Sequence, residues 1–298
     1  TATTEIYTVK DTLSVHDALP ICRDAEIRRK VWSGADVFTL PVDSIQETFG
    51  LVPLEAMSAG LPVVVPDWDG FRDTVLDGET GWLIPTWSAP PGAGPGISRR
   101  FADGTDDYLR YLAIMQQHVA IDLPAYLAAF ERLSTDTHLA RRMGQAGAAH
   151  ARRRFDWSAV IPRYVALSEE LAGRRAVSAP TTPPLTAGAA SPVEVDPFDL
   201  YRGYPAATLK PGDHVHPDAP LTAERLAALD AVNGRDLYRR RILPDARLLE
   251  IRAAVPEGGT TVSALAGTLG LSQGQTVAGL LFLAKHGAVR LCHGAGGA

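Results

Sequence analysis

Two glutamates eight positions apart, with a glycine between them, are the residues of this chain best placed to do chemistry. The stretch reads Glu47-Thr48-Phe49-Gly50-Leu51-Val52-Pro53-Leu54-Glu55-Ala56-Met57. A carboxylate facing vicinal hydroxyls accepts two hydrogen bonds, which suits recognition of a ribose or a hexose. Gly50 lets backbone amides approach a ligand closely. Residues 51–59 have helical spacing, and Pro53 is tolerated in a first turn. The free N–H groups and the dipole at such a helix start attract phosphate. Two carboxylates at this spacing can bracket a ligand whose phosphates rest on the amides between them. The plainer alternative is one charge at a helix N-terminus and one solvated glutamate, and spacing alone leaves both open.

The flanking residues say what must hold these groups in place. Residues 36–40 read as an apolar strand stopped by Pro41, and Gly60 suits the position just past a helix. Leu61-Pro62-Val63-Val64-Val65 is short, fully apolar and β-branched, as expected of a parallel strand covered on both faces. Residues 23–34 form an amphipathic helical pattern with Ile27, Val31 and Trp32 on one side. Alternating helices and short apolar strands predict an α/β fold with a helix-covered parallel sheet. The candidate site then lies at the carboxyl end of a strand, where such sheets bind ligands.

The run from Glu47 to Met57, followed by Ala59-Gly60-Leu61-Pro62-Val63-Val64, resembles the E-x7-E signature of retaining GT-B glycosyltransferases of the family 4 group. The likeness continues through Asp69-Gly70 and Asp77-Gly78-Glu79-Thr80-Gly81, and upstream through Ala35-Asp36-Val37-Phe38-Thr39-Leu40-Pro41. It covers roughly residues 23–172 and includes an Arg154-Phe155-x-Trp157 junction like that family's closing helices. The resemblance implies a partial Rossmann-like GT-B C-terminal domain that binds a nucleotide-diphosphate sugar, with no separate cofactor and no metal. Glu47 would lie against the donor sugar as the catalytic carboxylate. The amides of Phe49, Gly50 and Leu51 would meet the sugar and diphosphate, with Thr48 and Val52 completing the donor-contacting stretch, and Glu55 would bind the nucleotide ribose. The same resemblance expects earlier strands and an acceptor-binding half upstream of this stretch, so the chain reads as a fragment lacking the full active site.

The 298 residues are 46% hydrophobic and 21% charged, which allows two soluble domains. A net charge of −5 gives no global reason for nucleic-acid binding. Cys22 and Cys292 are too far apart to imply a disulfide, and no signal peptide or membrane-spanning run is present, so a cytoplasmic setting is expected. Peripheral membrane contact stays open. Residues 1–22 match no enzyme pattern and read as a non-native or disordered front, so His16 and Asp17 are not taken as a catalytic pair. The nucleotide-sugar domain is expected over 23–175, a Pro-rich linker over 176–195 and a mostly α, winged-helix-like domain over 196–298.

Within the first domain, Trp68 and Phe71 are expected to pack and Arg72 and Asp73 to make loop pairs. The Pro- and Gly-rich residues 87–104 are expected to form a flexible loop. The aromatics of residues 196–205 are expected to dock on a neighbour. Asp213-His214-Val215-His216-Pro217-Asp218 carries two histidines that would hold a metal only with a third ligand supplied. Residues 261–291 resemble a winged helix-turn-helix, with Gly270 turning one helix and Ser272 capping the next. Between residues 244 and 298 only Arg247, Arg252, Lys285 and Arg290 face Asp245, Glu250 and Glu257. Duplex binding needs phosphate neutralisation, so a packing or protein-interaction module is favoured there over a DNA reader. The alternative to a transferase is a helix-turn-helix regulatory or interaction protein with a nucleotide-sensing α/β part.

Overall fold

In the computed structural model, the residues described are 25–177, 195–233 and 241–294. Residues 1–22, read as a foreign front, lie outside them. So does most of the expected linker. Helix α1 (Ala25–Gly34) leads into strand β1 (Phe38–Thr39), then α2 (Leu51–Ser58), β2 (Val63–Pro66), α3 (Phe71–Thr74) and β3 (Gly81–Ile84). The three strands form a parallel sheet in the order β1-β2-β3. The β-branched run of β2 is buried throughout because both its faces are covered. Val63 and Val65 join the main core, while Val64 points the other way and packs with Ile84, Leu133, Leu139 and Met143. This is the arrangement expected of a parallel strand inside an α/β sheet.

Helices α6 (Leu123–Thr135) and α7 (Thr137–Phe155) cover that second face. Each starts on an aspartate cap: Asp122 accepts from the amide of Ala125, and Asp136 from that of Leu139, at 3.0 and 2.8 Å. Helix α7 lies so close to the α2–β2 turn that a Cβ on Gly144 would stand 1.9 Å from the carbonyl oxygen of Gly60. Helix α8 (Trp157–Val177) buries none of its residues and continues two residues into the span expected as linker.

Residues 87–104 are not the flexible loop expected. They contain most of β4 (Thr86–Ser88) and α4 (Pro95–Ala102), followed by α5 (Tyr108–Gln116) and β5 (Val119–Ile121). Pro95 occupies the first helical position, where its fixed φ helps and its missing N–H costs nothing. Strand β4 is held from far along the chain, pairing antiparallel with β5 and parallel with β6 (Ala207–Thr208). Before β6, the short helix α9 (Pro197–Leu200) buries Phe198, and Tyr204 meets Trp68 edge-on at 5.6 Å. The docking expected of these aromatics is thus seen.

The remaining elements are β7 (His214–Pro217), α10 (Ala223–Asn233), α11 (Asp245–Ala254), β8 (Thr260–Thr261), α12 (Val262–Leu269), α13 (Gln273–Lys285) and β9 (Val289–Cys292). Their strands form an antiparallel sheet ordered β8-β7-β9. Gly270 takes the left-handed conformation at φ 59° and ends α12, and Ser272 opens α13 with a reciprocal capping box to Gln275. The helix-turn-helix read from sequence is therefore present as local geometry. Its second helix faces inward: Thr276 to Ala284 are all buried, packed against β5 and joined to the core around Trp68 and Phe71. The second region thus shares a sheet and a core with the first. His214 and His216 lie on β7 with rings stacked 6.3 Å apart, and no group of three or more ligating side chains occurs among the described residues.

Candidate functional site

Gly50 is the residue on which the site geometry turns. It caps α2 in the left-handed region at φ 79°, which glycine tolerates best, and no side chain caps the helix. A Cβ at this position would stand 2.7 Å from the ring of Phe71, which is fully buried. The helix begins just after Gly50, with Leu51 and Val52 68% and 43% exposed in the first turn. Pro53, lacking an N–H, loses nothing there.

The loop entering this turn is clamped from several sides. The indole N–H of Trp68 donates to the carbonyl of Ser44 at 3.0 Å. A Cβ on Gly70 would lie 2.0 Å from the carbonyl oxygen of Thr48, so the 67–71 turn presses directly on the loop backbone. The buried carboxylate of Asp43 pairs with the ammonium of Lys285, at the end of α13. Trp68 and Phe71 thus pack, as expected, and Arg72 pairs with Asp67 while donating to the carbonyls of Gly203 and Tyr204. Burial raises the carboxyl of Asp69 above the usual range, and it raises the phenol of Tyr204 beside it to about 12.

The solvent side of α2 opens on a groove of ≈ 640 Å³ between α1, α2 and the junction of α7 with α8. Leu51, Leu54, Glu55 and Ser58 line it from α2, one helical face at i, i+3, i+4 and i+7. Trp32, Arg152, Phe155, Asp156 and Trp157 face them. Phe49 reaches the same wall, meeting Phe155 edge-on at 6.0 Å. Glu55 is exposed in this groove one turn inside the helix, whereas Glu47 sits half-buried in the preceding turn, its amide bonded to the carbonyl of Ser44 at 3.0 Å. The structure therefore brings Leu51 and Glu55 to one groove, with Phe49 packed on its Phe155 wall; Glu47, Thr48, Phe49, Gly50 and Val52 are not among its lining residues.

Sequence reasoning passed over Arg152, Trp32 and Trp157. Arg152 lies in the last turn of α7 and supplies the cation of the groove. The aromatic pair supplies flat apolar walls of the kind on which a sugar or a base can stack.

Residues 9–93 match the glycosyl transferases group 1 family. The group 1 match contains β1, α2, β2 and the whole stretch from Glu47 to Glu55. Phosphatidyl-myo-inositol mannosyltransferase of Mycobacterium leprae is 32% identical over 138 residues, 46% of this chain and 27% of that protein. D-inositol 3-phosphate glycosyltransferase of Segniliparus rotundus is 33% identical over 165 residues, 55% of this chain and 28% of that protein. The chain thus spans little more than a quarter of the length of these group 1-like relatives. Sucrose-phosphate synthase from Thermosynechococcus elongatus aligns over 53% of this chain and 29% of its own at 25% identity, with a TM-score of 0.34, too low to establish a shared fold.

Proposed function

We propose that residues 23–175 are the nucleotide-sugar-binding part of a retaining GT-B hexosyltransferase. The observation that carries this reading is the start of α2, where Gly50 takes the left-handed region and the first-turn amides have no side-chain cap, beside a groove lined by Leu51 and Glu55. Such amides stabilise the charge that develops on a departing diphosphate without reorganising during the reaction. Glu55 accepts hydrogen bonds from the ribose hydroxyls of the donor, and Glu47 orients the sugar. In the complete enzyme the bond from the anomeric carbon to the diphosphate oxygen breaks as a bond to the acceptor hydroxyl forms on the same face. The acceptor proton passes to the departing phosphate oxygen. The group 1 match and the glycosyltransferase names of the relatives support the reading. Donor base, sugar and acceptor belong to the whole protein, as does a cytoplasmic setting; no helix among the described residues is long and apolar enough to cross a membrane.

The alternative, a helix-turn-helix regulatory or interaction protein, draws no support from α13, which is buried from Thr276 to Ala284 against β5 and leaves only its first turn exposed. Titration calorimetry with UDP and with GDP tests the transferase reading. Saturable heat that weakens in Glu55→Ala supports it, and no heat at millimolar concentration of either nucleotide overturns it.

A further inference from the structure

A second cavity lies away from α2, between α4, α5 and the region of α11 to α13, with a volume of ≈ 490 Å³. That volume is within the range of small-molecule sites, about 300–1,000 Å³. Its apolar walls include Ile97, Ile114, Ile242, Leu243 and Ala278. The charged residues lining it, among those described, are Arg100, Arg110 and Arg241. The carboxylates that hold two of these arginines stand outside the cavity lining. Asp106 takes Arg100 through a bidentate pair at 2.7 and 2.8 Å, and Asp230 and Asp245 take Arg241 at 2.8 and 2.7 Å. These pairs fix the guanidinium planes, and among the described residues no carboxylate lines the cavity.

Two further features agree with that sign. Gly274 and Gln275, in the first turn of the 13-residue helix α13, line the same cavity, so a positive helix end faces it. His118, also in the wall, bonds through Nδ1 to the carbonyl of Ile114 at 2.9 Å and packs on Phe198 at 5.1 Å, so it contributes shape rather than a competing anion. A planar, weakly hydrated guanidinium matches carboxylate and phosphate oxygens, and the aliphatic walls offer no partner to a fully polar ligand.

We propose that this cavity binds an amphipathic anion, a phosphate monoester or carboxylate joined to an apolar body, at a site separate from the α2 groove. The assignment does not rest on the transferase reading.

The test is calorimetry on the full chain with hexyl phosphate, alongside inorganic phosphate and hexanol, each with and without added UDP. Saturable binding of hexyl phosphate is expected, with each half-ligand weaker by about tenfold or more. Ala278→Leu, which extends a side chain from α13 into the cavity, is expected to weaken binding by about tenfold. Should that variant fail to fold, Arg100→Gln serves, because its side chain is 41% exposed and glutamine keeps an N–H donor for Asp106, whose side chain is 3% exposed. It is expected to bring hexyl phosphate closer to hexanol in affinity. No saturable binding, hexanol binding as tightly as hexyl phosphate, competition by UDP, or binding unchanged in these variants would each overturn the proposal.

Discussion

Replacing Gly50 by alanine separates two physical contributions to the site. The residue sits at φ 79°, and forcing an L-residue into the left-handed region costs about 1–2 kcal/mol. The added methyl would also stand 2.7 and 2.8 Å from two ring atoms of Phe71, which is fully buried and cannot swing clear. Overpacking of that kind adds about 1–3 kcal/mol. The sum is a loss of about 2–5 kcal/mol for Gly50→Ala. Gly60 is the internal control, since it has φ 83° but nothing within 4 Å of its would-be Cβ. Gly60→Ala therefore carries only the conformational cost, about 1–2 kcal/mol. Urea titrations of both variants, with unchanged m-values, measure the difference directly. A Gly50→Ala protein no less stable than Gly60→Ala would refute the claim that Phe71 sets the close approach at the start of α2.

Other outcomes follow from the same coordinates. The Lys285–Asp43 pair has side chains 27% and 10% exposed, so Lys285→Met should cost about 1–3 kcal/mol, between surface and fully buried pairs. A double-mutant cycle with Asp43→Asn should show coupling. Burial lowers the rings of His118 and His286 to about 4 from 6.5, so both stay neutral in the fold while the unfolded chain takes up their protons. Stability should be flat above pH 6.5, fall as pH drops from 6.5 towards 4, and for His118 lose on the order of 3 kcal/mol across that window. Thermal melts of wild type and His118→Gln across that range check it, the variant being less acid-sensitive. Ile161→Gln and Leu171→Gln on α8 should each change stability by no more than about 0.5 kcal/mol in the same melts, because that helix buries nothing.

What could be read in advance was what neighbouring residues decide among themselves. The β-branched run at β2, the turn at Gly270 and the cap at Ser272 all act within a few residues. Elements made by distant partners escaped. Strand β4 lies in a Pro- and Gly-rich stretch and exists because β5 and β6 pair with it, the latter 120 residues away. The same limit applies at the site. The need for a glycine at position 50 was legible, whereas the ring of Phe71 that approaches it was not. Arg152 and Glu55 are 97 positions apart, and only folding brings them to one groove. The anchoring of Asp43 by Lys285 joins residues 242 positions apart and has no sequence signature.

The central claim is that the start of α2 and Glu55 hold a nucleoside diphosphate. Calorimetry of UDP and GDP against the wild-type chain and Glu55→Gln tests it most directly. The account predicts saturable heat with at least one nucleotide and an affinity reduced by about tenfold in the variant, the loss of one charge-assisted hydrogen-bonding group. Nucleotide bound equally well by both proteins, or by neither, would contradict it.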